Sequence, residues 1–350
     1  MSIPTEPIGS VPRPPELIAG MRGAAEGRIS DEELEAVREQ ALEQTIAEFE
    51  ATGSPVISDG EQLKPSFVTY PIQGLPSLSP NGVVIPFADG HTRQLPAITA
   101  GPFRYQTHAD SYLERAQRYA TRPIKQAVIS ASALSLLYPT DGIDGYSRAE
   151  FIADLIDEAE ADIRRSLDRG ADSVQIDFTE GRLSLKLDPS GALLREFLDL
   201  NNTVLERFTA DERQRIGVHT CPGGDQDSTH SADVDYAGLV PGLLELAAGR
   251  FYFELASEPD RPAVLETIRA NLKPGQRIFI GVIDPAVETA EQVRDRILEA
   301  AKCIPLDQLG TTDDCGFAPF ADDTSTARAT AFAKISARVD GTQLAAAQLG

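Results

Sequence analysis

His219, Cys221 and Cys315 are the residues whose types and spacing best suit chemistry in this sequence. Only four histidines and three cysteines occur in 350 residues. His219 and Cys221 stand one residue apart at the end of an apolar, strand-like run, Arg215–His219. On an extended backbone residues i and i+2 point to the same side, so one imidazole and one thiolate reach the same ion. A second thiolate from Cys315 completes a soft N/S donor set of the kind zinc favours. Three protein ligands are the usual number for a zinc that keeps one position open for chemistry. Buried cysteines are also ordinary core residues, and spacing alone leaves both readings open. Cys303, at the end of a helical pattern, reads as core.

Short apolar runs alternate with long amphipathic ones. Residues 55–59, 126–130, 173–177, 215–219, 251–254 and 277–282 read as buried strands, with 304–310 a weaker candidate. Helical patterns cover 31–51, 147–170, 192–208, 235–248, 263–272 and 289–302. This alternation predicts an α/β fold with a parallel sheet, specifically a (β/α)8 TIM barrel forming a single domain over 1–350. An open doubly wound sheet is the lesser alternative, since no glycine-rich phosphate loop follows the first strand. Asp59, Asp177, His219 and Glu254 fall at or just after strand ends, which in a barrel converge on the active face. The Pro- and Gly-rich segment near residues 64–103 is expected to be a small β insertion beside the barrel.

The net charge of -22 argues against nucleic acid and anionic membranes as partners. No apolar run approaches the roughly 20 residues of a transmembrane helix. An odd count of three cysteines does not suggest a disulfide framework, so a cytoplasmic location is expected.

In these residues the sequence resembles the cobalamin-independent methionine synthases, specifically their C-terminal catalytic barrel. Ile8-Gly9-Ser10 is similar to the family segment that holds the carboxylate of homocysteine. Gly60-Glu61 and Gln175-Ile176-Asp177 resemble motifs whose acids contact its amine. His219-Thr-Cys221, Glu254 and Asp314-Cys315-Gly316 resemble the family's zinc set. The resemblance implies Zn2+ as cofactor, small-molecule partners (a thiol and an alkyl donor), and Ile8, Ser10, Glu61 and Asp177 as substrate contacts.

The sequence departs from the family on the donor side. It has no tryptophan, where the family stacks its folate; the matching stretch is Ala131–Tyr138. The family's histidine acid is missing from Gly281-Val-Ile-Asp284-Pro285-Ala-Val. The expected activity is therefore zinc-dependent S-alkyl transfer to homocysteine or a similar thiol, from a donor other than folate. The epoxyalkane:coenzyme M transferases, single barrels with a similar zinc set, supply the alternative: a zinc-bound thiolate that opens an epoxide. Tyr138 and His230 are then candidate proton donors, and both also read as structural polar residues. A non-catalytic zinc- and thiol-binding barrel is the third reading.

Overall fold

The computed structural model describes residues 2–284 and 289–350. Its main sheet has six strands: β1 (Lys125–Ile129), β2 (Ser173–Asp177), β3 (Ile216–Thr220), β4 (Arg250–Phe253), β5 (Arg277–Gly281) and β6 (Leu309–Thr312). They pair in sequence order and every pair is parallel. Nearly every strand residue is buried, which explains why the runs are apolar throughout and do not alternate.

Both sheet edges are extended by single parallel bridges, Ile57 beside Ile124 and Thr5 beside Thr311. The two edge segments meet through Val11 N–H donating to Gly60 O (3.1 Å) and Ser58 Oγ to Gly9 O (2.8 Å). Eight parallel segments thus follow one another, consistent with a (β/α)8 barrel whose seam is held by scattered hydrogen bonds such as these, with Gln62 Nε2 also donating to Val11 O (2.9 Å), instead of a ladder.

Helices Asp31–Ala51, Arg148–Asp168, Ala192–Leu205, Tyr236–Leu243, Arg261–Asn271 and Ala290–Ala300 match the expected patterns. Three of them start with a capping box: Ser30 with Glu33, Ser147 with Glu150, and Thr289 with Gln292. Two strand expectations need correction. Residues 55–59 form only the Ile57 bridge, because the chain turns at once through Gly60 (φ 65°) and Glu61 (φ 54°). The run 304–310 is not the strand; Pro305 opens a turn closed by Gln308 N–H (2.9 Å), and β6 starts at Leu309.

The insertion near 64–103 holds two antiparallel pairs, Leu78–Ser79 with Ala97–Ile98 and Val84–Pro86 with Thr92–Gln94. Its tip docks on the hairpin Gly224–Asp225/Ser228–Thr229 that follows β3. Ala88 N–H donates to Thr229 O (2.9 Å), and Arg93 Nη2 reaches Asp225 Oδ1 (3.0 Å) and Asp322 Oδ1 (2.9 Å). Among the described residues, no helix is long and apolar enough to cross a membrane.

Candidate metal and substrate site

His219 is the penultimate residue of β3, Cys221 follows that strand, and Cys315 follows β6. One ligand atom from each lies within 4.8 Å of the others. The two sulfurs are 3.0 Å apart. His219 is 2% exposed, and neither ring nitrogen has a hydrogen-bond partner among the described residues. A buried imidazole without partners is rare and costly, and a metal ion would satisfy it. The S–H of Cys221 and the neighbouring His219 hold the Cys315 thiol well below the usual range, whereas the same contact pushes Cys221 up. Such a set fits a soft divalent cation.

Asp314 anchors the Cys315 loop to the segment after β4. Its carboxylate accepts from the N–H groups of Leu255 (3.1 Å), Ala256 (2.9 Å) and Ser257 (2.8 Å). Glu254 lies outside the three-residue cluster. Its carboxylate accepts from Arg182 Nη1 (3.0 Å) and Ser257 Oγ (2.9 Å).

Ile8, Ser10, Glu61, Asp177, His219 and Cys315 line one narrow cleft of about 30 Å³. Asp313 accepts from Ile8 N–H (3.2 Å) and is paired with Arg338 (3.1 Å), fixing the N-terminal segment. Ser10 Oγ accepts from Ala318 N–H (3.3 Å); a Cβ on Gly316 would lie 2.1 Å from that oxygen and would displace it. Glu61 holds a left-handed backbone (φ 54°), a strained conformation for a side chain of this kind. Arg13 Nη2 fixes that turn by donating to Glu61 O (2.9 Å) and Lys64 O (2.8 Å). Burial pushes the Glu61 carboxyl up to about 7; Lys64 at 3.1 Å pulls it back, and Asp177 and Asp59 push it further. Asp177 is also raised by burial, and Gln175 Nε2 holds its Oδ1 at 2.7 Å.

A larger cavity of about 370 Å³ shares Phe67, Thr179, Gly223 and Gly224 with this cleft. His230 is in its wall, hydrogen-bonded through Nδ1 to Ser231, and burial lowers its pKa to about 4. Tyr138 lines neither space: its hydroxyl donates to Tyr146 O (2.7 Å), and its ring packs on Phe151. Cys303 is partly buried against the core, with its sulfur 3.6 Å from Glu266. Of the segment 281–287 that lacks the family histidine, Pro285, Ala286 and Val287 lie outside the described residues. Sequence reasoning missed Arg13, Lys64, Glu180, Arg182, Asp313 and Arg338. All six are charged yet buried, and no periodic pattern announces such positions.

The profile of the family described as "Cobalamin-independent synthase, Catalytic domain" matches residues 3–337. A 5-methyltetrahydropteroyltriglutamate–homocysteine methyltransferase of Nitratidesulfovibrio vulgaris is 23% identical over 324 residues, covering 90% of this chain and 39% of that protein. This chain thus spans about two fifths of the length of the first curated relatives it matches. A methionine synthase of Saccharolobus solfataricus is 20% identical over 352 residues, covering 99% of this chain and 96% of that protein. The solved B12-independent methionine synthase of Shewanella sp. W3-18-1, in complex with selenomethionine, has the same fold. Its TM-score is 0.77 at 19% identity, covering 100% of this chain and 99% of that one. With nearly its whole length matched by that profile, the chain belongs to the family of cobalamin-independent synthases, through their catalytic domain.

Proposed function

We propose that this protein is a zinc-dependent S-alkyltransferase that methylates homocysteine or a similar amino-thiol. The observation that carries this reading is the shared cleft. Two acids, Glu61 and Asp177, face the same narrow space as the His219 and Cys315 ligand atoms. His219, Cys221 and Cys315 would hold the zinc, and Glu254 would be a further ligand at rest. Bound zinc converts a thiol that is mostly protonated at neutral pH into a thiolate.

The chain's own residues do the rest. Ser10 and the backbone around Ile8 orient the substrate carboxylate. Glu61 and Asp177 take its ammonium, and the negative charge they carry, partly offset by Lys64 beside Glu61, opposes a sulfonate thiol. This favours an amino-thiol over coenzyme M. The methyl donor is one other than folate, since the stacking indole is absent from the sequence.

The test is alkylation by the zinc-loaded protein of homocysteine and of coenzyme M, each with methylcobalamin, 5-methyltetrahydrofolate and propylene oxide. Methylation of homocysteine is the expected result. Turnover only of coenzyme M with the epoxide would replace this reading with the lyase-type alternative.

A further inference from the structure

Glu180 opens the helix Glu180–Leu187 directly after β2 and is part of the wall of the larger cavity. It is 4% exposed. Its two oxygens have different surroundings. Oε1 accepts from the hydroxyls of both Ser130 and Ser132. Those hydroxyls are themselves held by other donors: Ala133 N–H reaches Ser130 Oγ (3.1 Å), and Asn201 Nδ2 reaches Ser132 Oγ (2.8 Å). Both hydroxyls are thus placed to donate to Oε1, with Ser130 Oγ a longer second acceptor for Ser132 at 3.4 Å. Oε2 is buried and has no partner among the described residues. A carboxyl group whose one oxygen takes two donors and whose other oxygen takes none is arranged for a proton on the second. Burial, set against the two serine bonds and the residue's own backbone N–H and aided by the charge of Asp177, pushes this carboxyl up to about 7. The rest of the cavity wall is mainly apolar, including Phe67, Val68, Ile85, Leu136 and Leu183.

We propose that Glu180 is the donor-side acid of this site: its Oε2–H hydrogen-bonds to a nitrogen or oxygen of an uncharged, largely apolar alkyl donor R′X held in the larger cavity. The assignment of a donor to this cavity rests on the function proposed above. On transfer the S–C bond forms, the C–X bond breaks, and the Oε2 proton moves to X. The proton shed by the thiol restores the acid, so that RSH + R′X gives RSR′ + HX. Neither candidate from sequence supplies this group: His230 is neutral, and Tyr138 is outside the cavity.

The groups that bear on Glu180 are Ser130 and Ser132 beside it and Asp177 at the end of β2; His230, Arg93 and Asp322 line the same cavity. The test uses two matched bicyclic probes, quinoline with one acceptor nitrogen and naphthalene with none, titrated into the zinc-loaded protein. Quinoline binding to the wild type should weaken about tenfold between pH 6 and pH 8, as a neutral carboxyl donor is lost. Naphthalene binding should stay flat. In Glu180→Gln the quinoline pH dependence should vanish, and in Glu180→Leu the preference of quinoline over naphthalene should fall about tenfold or more. Retained naphthalene binding reports an intact cavity in either variant. An unchanged quinoline pH profile in Glu180→Gln, an unchanged preference in Glu180→Leu, or failure of both probes to bind the wild type would overturn the proposal. A separate assay, wild-type methylation of homocysteine by iodomethane above the uncatalysed rate, needs no leaving-group proton. Its failure would count against the proposed function and not against the acid.

Discussion

Asp177 and His219 are direct partners across the parallel β2–β3 ladder, at the C-terminal ends of both strands. Neighbouring strands lie about 4.8 Å apart. The proposed ammonium-binding and metal-binding residues are therefore held one strand spacing from each other by the backbone ladder. Homocysteine separates its nitrogen from its sulfur by three carbons, a span suited to this pair. The register, rather than any flexible loop, sets the distance on which the proposed specificity depends.

Replacing Cys221 or Cys315 by Ser should remove most of the bound zinc and leave the circular dichroism spectrum in place. A barrel of this length has a core of its own to keep it folded. Cys303→Ser should keep full zinc, since its sulfur is beside Glu266 and away from the cluster. Metal analysis of the three purified variants checks this; equal zinc in all of them would remove the assignment.

Glu61→Gln and Asp177→Asn should each weaken homocysteine binding by about 10- to 100-fold, the range for losing a charge-assisted hydrogen bond. The same variants should bind coenzyme M no worse than the wild type. Calorimetric titration of both thiols into each zinc-loaded variant measures the contrast.

The buried pair Arg338–Asp313 ties the final helix to the segment that carries Ile8. Arg338→Met leaves a buried carboxylate without its cation and should cost about 3–5 kcal/mol of stability. Asp313→Asn should cost less, because the amide can keep a bond to Arg338. Urea unfolding of the two variants gives the comparison.

Burial pushes the Glu180 carboxyl up to about 7 in the fold, from an ordinary value of 4.5. The folded protein holds this proton where the unfolded chain has lost it. Its contribution is fully present below the unfolded pKa and is lost as pH rises through the folded one. Stability should therefore decline between about pH 4.5 and 7, by an amount on the order of 3 kcal/mol from this group. Glu180→Gln should flatten part of that decline, with Glu61 accounting for a further part. Chemical denaturation at a series of pH values would reveal the difference in slope.

Much of this architecture was legible from pattern. β2 and the helix Asp31–Ala51 have the expected bounds, because a buried parallel strand is a closed apolar run and the acidic run Asp31-Glu32-Glu33 marks a first helical turn. The strand β6 begins later than its apolar run suggests because Thr311 and Thr312 are polar by type yet buried. The final helix Arg328–Leu349 went unread because its apolar positions are mostly alanines and its inward face carries Lys334 and Arg338. His219, Cys221 and Cys315 could be found because their residue types are scarce here. Glu180 could not, since one glutamate among many shows its role only when Ser130, Ser132 and the cavity wall are brought around it.

The most direct measurement of the central claim is X-ray absorption at the zinc edge of the loaded protein, with and without added thiol. One histidine nitrogen and two cysteine sulfurs should be present at rest, and homocysteine should add a third sulfur. No change in sulfur count with homocysteine, or a gain with coenzyme M alone, would contradict the account.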